Sequence, residues 1–521
     1  MKDINTSQEG VFSLSPEYAD AAGQTVWSEC SGDFTLPEYM PEISKMIKAD
    51  GRVIPTGKYI GAERAEFSGS VVYSILYAGE DGLPYFTTLE CEYEYAVPLG
   101  EALGCGEIEI YDESSIESTT VRPSGPRKLS VKSKIKGVPH VVYRKEADAE
   151  RLSSLSAPEY QRLSKTERVI NVSHFECGEF ELEEALRIDG ASPECEIIGC
   201  EGNVYINEVR ASSDGILCRG ECECSIYYYD IQAGRRSFSC SKKKMRFEKD
   251  IPAYHPFDVQ NVRAYGKVIS ADISAQDDTG ELLMSLTLNI WGEYTCEQEK
   301  EYVTDLYSCG CECDLEYKNE QLKRGVLCKN ANFSCHGQKK LEGECTADVC
   351  SSVATARVES VSVDGDTANV SGEISVDVLL CKTEDGTLDY TTENIAVPFK
   401  CALDVLCTAQ KYDSRIAADV AGVRVRCEKD SIFADAELYL SAFIEGTDSI
   451  RAVKSAETLE DIKDTEGDCV RIYYPDKNES LWSVGKKYGR RIDSLSRINS
   501  LDVREPDSAE SLLGVRSLVI K

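Results

Sequence analysis

One pattern limits what this chain can fold into: a strand–turn–strand unit is written three times. The copies read "AEFSGSVVYSILYAGEDGLPYFTTLECEYEYAVPL", "ILCRGECECSIYYYDIQAGRRSFSCSKKKMRFEKDIPA" and "ANVSGEISVDVLLCKTEDGTLDYTTENIAVPF". Their glycines Gly69, Gly220 and Gly372 recur at spacings of 151 and 152 residues. A period of that size is a domain rather than one turn of a solenoid. A chain of 521 residues also exceeds one ordinary core, so several domains are expected.

Each unit reads as a β-hairpin. In the third copy Ile374, Val376, Val378 and Leu380 share one face, and Glu373, Ser375 and Asp377 share the other. Val71, Tyr73, Ile75 and Tyr77 alternate in the same way in the first. Asp81-Gly82 and Asp385-Gly386 supply the positive φ that a tight hairpin turn requires. Pro98, Pro252 and Pro398 are expected to end the second strand, because proline donates nothing to a ladder. Further alternating runs such as "KLSVKSKIKGVPHVVY", "LLMSLTLNIWGEY" and "DAELYLSAFIEG" make each copy an antiparallel β domain. The best helical stretch in this body, "EADAERLSSLSAPEYQRLSKTER", reads as a polar connector.

The threefold pattern resembles the SPOCS domain, a β-rich module of spore-coat-associated proteins of clostridia and their relatives. "EKEYVTDLYS" at Glu299 to Ser308 also looks like that family's wording. The division that follows is an N-terminal segment 1–25, repeats at 26–145, 168–308 and 328–458, connectors at 146–167 and 309–327, a linker at 459–466 and a separate module at 467–521. The fold class expected is mainly β: three repeated antiparallel domains and a small C-terminal βααβ module.

The tail, "CVRIYYPDKNESLWSVGKKYGRRIDSLSRINSLDVREPDSAESLLGVRSLVIK", differs in kind from the body. From Gly467 it holds ten Lys/Arg against eight Asp/Glu, a net of +2; the whole chain carries −33, which leaves −35 for the rest. Val470 to Tyr474 reads as a strand and Ser480 as a helix N-cap. Leu481, Val484 and Tyr488 form the apolar stripe of that helix, and Gly489 stops it. A second helix carries Ile492, Leu495 and Ile498, and the last strand is Ser517 to Ile520. This order resembles a LysM module, a family known for gripping cell-wall glycan in a shallow groove. The resemblance places Asn478, Glu479 and Ser480 on one wall of that groove and Asn499, Ser500, Leu501 and Gly514 on the other. Asn478-Glu479-Ser480 replaces the family's Gly-Asp-Thr, Leu513-Gly514 replaces Pro-Gly, and the second loop is long and acidic. Arg491 stands where a Ser or Thr often caps the second helix. Trp482 reads either as a packing residue or as a partner anchor. Lys486, Lys487, Arg490 and Arg491 read either as a solvated face or as a docking surface for an acidic protein.

The 23 cysteines contain no Cys-x-x-Cys pair, and there are four histidines, so no zinc ribbon or thioredoxin-like site is expected. Cys222 and Cys224 alternate with glutamates, and Cys309, Cys311 and Cys313 read the same way, as core-facing strand positions; a metal or redox role is the alternative. No nucleophile elbow, P-loop or His-Glu-x-x-His is present, and no enzyme activity or cofactor is expected. An acidic body repels nucleic acid and anionic lipid. No apolar run reaches eighteen residues, so no membrane span is expected. The first thirty residues lack a basic start followed by an apolar core, so no secretory signal is expected either.

β repeats followed by one LysM module resemble a clostridial family of spore-morphogenesis proteins. That resemblance implies a structural adaptor in the mother-cell cytoplasm at the forespore surface. Its LysM module would bind SpoIVA, a coat ATPase, rather than peptidoglycan or a chitin-type glycan. A wall-associated, peptidoglycan-binding protein is the alternative.

Overall fold

The structure is a computed structural model. It describes residues 18–20, 25–105, 107–144, 160–188, 190–192, 195–212, 215–232, 234–252, 259–276, 281–341, 347–384, 387–404, 411–461 and 470–521. The chain is mainly β, in several antiparallel sheets, with two short helices near the C-terminus. Among the described residues no helix is long and apolar enough to cross a membrane, which says nothing of strands.

The first body contains β1 (Tyr18–Asp20), β2 (Val26–Thr35), β3 (Ile43–Ile60), β4 (Arg64–Gly79), β5 (Pro84–Pro98), β6 (Ile108–Asp112), β7 (Ser115–Gly125), β8 (Lys128–Gly137) and β9 (Pro139–Arg144). Sheets β3-β4-β5, β2-β8-β7 and β1-β9-β6 enclose one core centred on Val71, Tyr73, Ile75 and Tyr77. The second body is β10 (Tyr160–Leu186), β11 (Glu196–Ala211), β12 (Gly215–Gln232), β13 (Arg235–Pro252), β14 (Val259–Gln276) and β15 (Glu281–Ser308). Sheet β11-β12-β13 faces sheet β10-β15-β14. The third is β16 (Cys311–Lys340), β17 (Asp348–Asp364), β18 (Thr367–Glu384), β19 (Thr387–Asp404), β20 (Lys411–Glu428) and β21 (Ser431–Asp461). Sheet β17-β18-β19 faces sheet β16-β21-β20 across a core that includes Ile374, Val376, Val378 and Leu380. The alternating hydrophobes therefore point inward, as period-two patterning requires.

Gly69, Gly220 and Gly372 occupy one geometry. Each lies in the middle strand of its sheet, and the edge strand opposite is bulged at that point, between Pro55 and Gly57, Ile206 and Glu208, and Val358 and Ser360. A Cβ would fall 2.5 Å from Ile54 O, 2.3 Å from Tyr205 O and 2.1 Å from Arg357 O. On the other side the rings of Tyr93, Phe247 and Phe399 close over the bare backbone. Only glycine permits both approaches at once.

Gly82 turns the first hairpin at φ 79°, while Asp385-Gly386 lies outside the described residues. Pro98 and Pro252 end β5 and β13, but Pro398 lies inside β19, opposite Glu373. β19 is an edge strand, where every second N–H faces away from the ladder and proline is tolerated.

The three bodies meet at one apolar junction. Ile47, Leu76 and Phe86 of the first pack with Tyr227, Tyr229 and Phe238 of the second and with Leu379 and Tyr390 of the third. Thr392 donates to Ile47 O at 2.6 Å, and Lys242 donates to Ser352 O at 3.0 Å. Beside this junction the buried Lys48 ammonium lies 2.6 Å from Asp50 and 2.7 Å from Glu201. Burial works against its charge, but Glu201 and Asp50 more than compensate and hold it protonated.

The longest strands run past their sandwiches. Residues 160–173 of β10 pair with 294–308 of β15, and 311–323 of β16 pair with 447–461 of β21. These two ribbons pack together through Val303, Leu306 and Val453, and through Val169, Tyr302 and Leu322. Residues 160–167 and 311–327, expected in connectors, are thus strand. Pairing with β15 and β21 overrides the local helical bias of "YQRLSKTER". The remainder of the first connector, 146–159, and positions 462–466 of the linker lie outside the described residues.

Cys222 and Cys224 face the core, fully buried, and alternate with the partly exposed Glu221 and Glu223. Burial pushes both thiols up to about 12. Cys309, Cys311 and Cys313 repeat that arrangement only in part: Cys311 and Cys313 alternate on β16 with the exposed Glu312 and Asp314, while Cys309 lies outside the strand. The chain reverses at Cys309-Gly310 between β15 and β16, and all three are only half-buried. Among the described residues every cysteine is a free thiol, and no group of side chains is arranged to hold a metal ion.

Candidate functional site: the C-terminal module and its seat

The last described segment runs β22 (Arg471–Tyr473), α1 (Leu481–Tyr488), α2 (Ile492–Ile498) and β23 (Leu518–Ile520), with a 3-10 turn at Ala509–Leu512. β22 and β23 pair antiparallel. Ser480 caps α1: its hydroxyl accepts from Ser483 N at 3.2 Å, and Ser483 Oγ accepts from Ser480 N at 3.1 Å. Gly489 ends α1 at φ 59°. Leu481, Val484, Leu495, Leu512, Leu518 and Ile520 form the small core.

Most of the expected groove residues serve this fold. Glu479 accepts from Tyr473 OH at 2.7 Å and from Asp476 N at 3.0 Å. These bonds outweigh its slight burial and hold its carboxyl below the ordinary value. Asn499 donates to Leu495 O and Val519 O, both at 2.9 Å, and accepts from Val519 N at 2.7 Å. It fastens the end of α2 to β23. Leu501 packs against the core, and Ser500 adopts φ 54°. Asn478 is exposed, and Gly514 (φ 82°) has open space where a Cβ would stand. The long second loop bonds directly to the start of α1: Leu481 N donates to Ser511 Oγ at 2.9 Å, and Trp482 N donates to Pro506 O at 2.8 Å.

The residues read as a partner surface divide in two. Trp482, Lys486 and Arg490 meet the ribbon at the end of β15. Trp482 is 6% exposed. Its Nε1–H donates to Asp305 Oδ2 at 2.8 Å, and its ring meets Tyr307 edge-on, centroids 4.9 Å apart. Lys486 Nζ lies 2.5 Å from Asp305 Oδ1, and Tyr317 OH donates to the same oxygen at 3.0 Å. Tyr307 OH donates to Arg490 O at 2.7 Å. Gly485 permits this approach, since a Cβ there would fall 2.6 Å from the Tyr307 hydroxyl. Burial opposes the charge on Asp305, but hydrogen bonds from Lys486, Trp482 and Leu306 N hold its carboxyl below the usual range.

Lys487 and Arg491 make none of the hydrogen bonds of that contact. Lys487 lies 5.0 Å above the Tyr473 ring and donates to its hydroxyl at 3.3 Å. Arg491 is the N-cap of α2 and offers no side-chain cap. Ile492 N, at the start of that helix, instead donates to Gln161 Oε1 of the ribbon at 3.3 Å. A cap missing from the local sequence is supplied by a residue 331 positions away.

Sequence reasoning missed Asp305, Tyr307 and Gln161 as functional positions. The one available signal was "EKEYVTDLYS", singled out for its wording, which contains the first two.

A second concavity, of about 620 Å³, lies between the first and second bodies. It is lined by Lys58, Tyr111, His174 and Glu176, with Lys58 Nζ 2.7 Å from Glu176. The ion pair and the stacked rings of Tyr111 and His174 join the two bodies across it.

Comparison of the chain with models of protein families, with curated proteins and with solved structures returned no match.

Proposed function

We propose that this chain is a non-enzymatic structural adaptor of spore-envelope morphogenesis, built from three SPOCS-like β domains and a C-terminal LysM-like module. In this reading it is similar to SipL. The module binds a SpoIVA-like coat ATPase on the forespore surface in the mother-cell cytoplasm. The shared bulge, glycine and covering aromatic at Gly69, Gly220 and Gly372 support a single ancestral β domain used three times.

One observation carries the choice of protein over glycan. Glu479, Ser480 and Asn499, expected to line a glycan groove, bond inside the module, whereas α1 presents Trp482, Lys486 and the Arg490 carbonyl to the chain's own β ribbon. A buried indole that donates to a carboxylate, with a partly exposed ion pair at its rim, is characteristic of protein interfaces. Peptidoglycan binding is the second reading, favoured by the open positions Asn478 and Gly514.

The test offers the full chain both a purified SpoIVA-type ATPase and insoluble peptidoglycan. Saturable capture of the ATPase with little retention on peptidoglycan is the expected result. Tight retention on peptidoglycan without ATPase capture returns the chain to the wall-binding class.

A further inference from the structure

The contact between α1 and the ribbon is unusual in what it uses. Docking of a small module through bulk apolar area would need no polar match. Here four directed hydrogen bonds and one edge-on ring pair hold it: Trp482 and Lys486 to Asp305, Tyr307 to Arg490 O, and Ile492 N to Gln161. Asp305 and Tyr307 stand two residues apart on β15, so alternation puts both on the face toward the module. Leu306 between them is fully buried in the ribbon core. The surface on α1 is thus fitted to an extended strand, one carboxylate and one aromatic hydroxyl at i and i+2.

The same surface holds three of the five positions for which a partner-facing role is one of two readings, namely Trp482, Lys486 and Arg490. An indole at 6% exposure cannot anchor a second protein while Asp305 and Tyr307 cover it. We infer that this face of α1 is a recognition surface for an extended strand carrying a carboxylate and an aromatic ring two positions apart, and that the chain's own Asp305 and Tyr307 occupy it until a partner displaces them. The inference rests on the adaptor reading and adds to it the partner's chemistry and a closed resting state. Binding in trans then gives up the internal contact, and apparent affinity is reduced by the fraction of closed molecules.

The experiment uses the full chain and two variants, Asp305→Asn and Tyr307→Phe. The first removes the charge with little change of shape; the second removes only the hydroxyl and keeps the ring against Trp482. Circular dichroism and thermal melting confirm that each is folded. Hydrogen exchange is read at the amides of α1, and capture of the SpoIVA-type ATPase is read in parallel. Asp305→Asn is expected to speed α1 exchange at least tenfold and to raise capture several-fold, with Tyr307→Phe intermediate in both. Unchanged exchange in both variants overturns the inference, because the contact would then hold nothing. Faster exchange with equal or weaker capture also overturns it, since the ribbon would be part of the binding surface rather than its occupant. Absence of capture by the wild type and by both variants overturns the adaptor reading itself, and the inhibitory role with it. The first two failures leave capture by the wild type intact, so the two readings fall separately.

Discussion

The indole N–H of Trp482 donates to Asp305 at 2.8 Å across 177 residues of sequence. The bond joins the small βααβ module to the end of a β ribbon. Trp482→Phe keeps an aromatic ring against Tyr307 but removes the donor. A hydrogen bond to a charged group contributes about 1.5–3 kcal/mol, and Lys486 still neutralises part of the carboxylate, so a loss near the lower value is expected. Hydrogen exchange in α1 should speed roughly tenfold, while exchange in the sandwich cores stays unchanged. Trp482→Ala would also remove buried ring contacts and is a less specific probe.

The same carboxylate makes docking pH-dependent. Asp305 faces Lys486, Trp482 and Tyr317, and its folded-state value is depressed. A depressed carboxyl contributes stability above its unfolded value of about 3.9, and that contribution is lost as pH falls through the folded value. Docking is therefore expected to be complete at neutral pH and to weaken progressively below about pH 4. The Asp305→Asn protein should show a much flatter dependence. α1 amide protection, followed by exchange at several pH values, reports both.

Much of the architecture was legible in the sequence, and particular residues say why. Val71, Tyr73, Ile75 and Tyr77 sit fully buried on one face because a pleated strand alternates, and period two is visible without a structure. The caps Ser480 and Gly489 were readable because each acts within its own helix. Residues 160–167 were misread because their partner, the end of β15, lies some 140 positions away; local propensity says helix, and the ladder decides otherwise. The LysM resemblance implies a groove role for Asn499, yet its amide bonds to β23. The seat of α1 was hidden for a related reason. Asp305 and Tyr307 become a site only when the fold brings 482–492 to them.

The bulge glycines provide a test of the shared geometry. Gly69→Ala, Gly220→Ala and Gly372→Ala would each place a Cβ within 2.1–2.5 Å of a backbone carbonyl, while a ring blocks the other side. Backbone cannot yield cheaply there, so each should cost about 3 kcal/mol or more. Gly422→Ala is the control: it too lies at a bulge, but nothing stands within 4 Å of its Cβ position. It should be neutral or slightly stabilising. Thermal unfolding of the four proteins decides, and equal effects at Gly422 and Gly372 would contradict the steric account.

Asn499→Ala separates scaffold from groove. The substitution removes three hydrogen bonds and leaves both polar groups of Val519 without their partner. The expected cost is about 2–3 kcal/mol, felt as faster exchange throughout residues 470–521 rather than in one loop. Asn478→Ala, at an exposed position, should leave exchange unaltered. A glycan-binding groove would show the reverse, with both variants folded and both weak in retention on peptidoglycan.

Lys267 supplies the last test, at the boundary of the first two bodies. Its ammonium lies over the Trp291 ring at 5.5 Å, and burial pulls it down to about 8, with Asp112 partly opposing that effect. A lowered lysine binds fewer protons folded than unfolded, so stability rises with pH between about 8 and the unfolded value near 10.4. Lys267→Met keeps the length of the stem and removes the charge. At pH 7 it should stabilise the chain by about 1–2 kcal/mol, less than the full shift implies, because Asp112 loses its cation. Asp112 keeps its hydrogen bonds from Tyr95 and Ser114, which limits that loss. At pH 10 most of the gain should vanish, since the folded wild type is then already neutral at this position. Denaturant unfolding of both proteins at pH 7 and pH 10 makes the comparison. A gain that persists undiminished at pH 10 would mean that methionine improves side-chain contacts rather than relieving a buried charge.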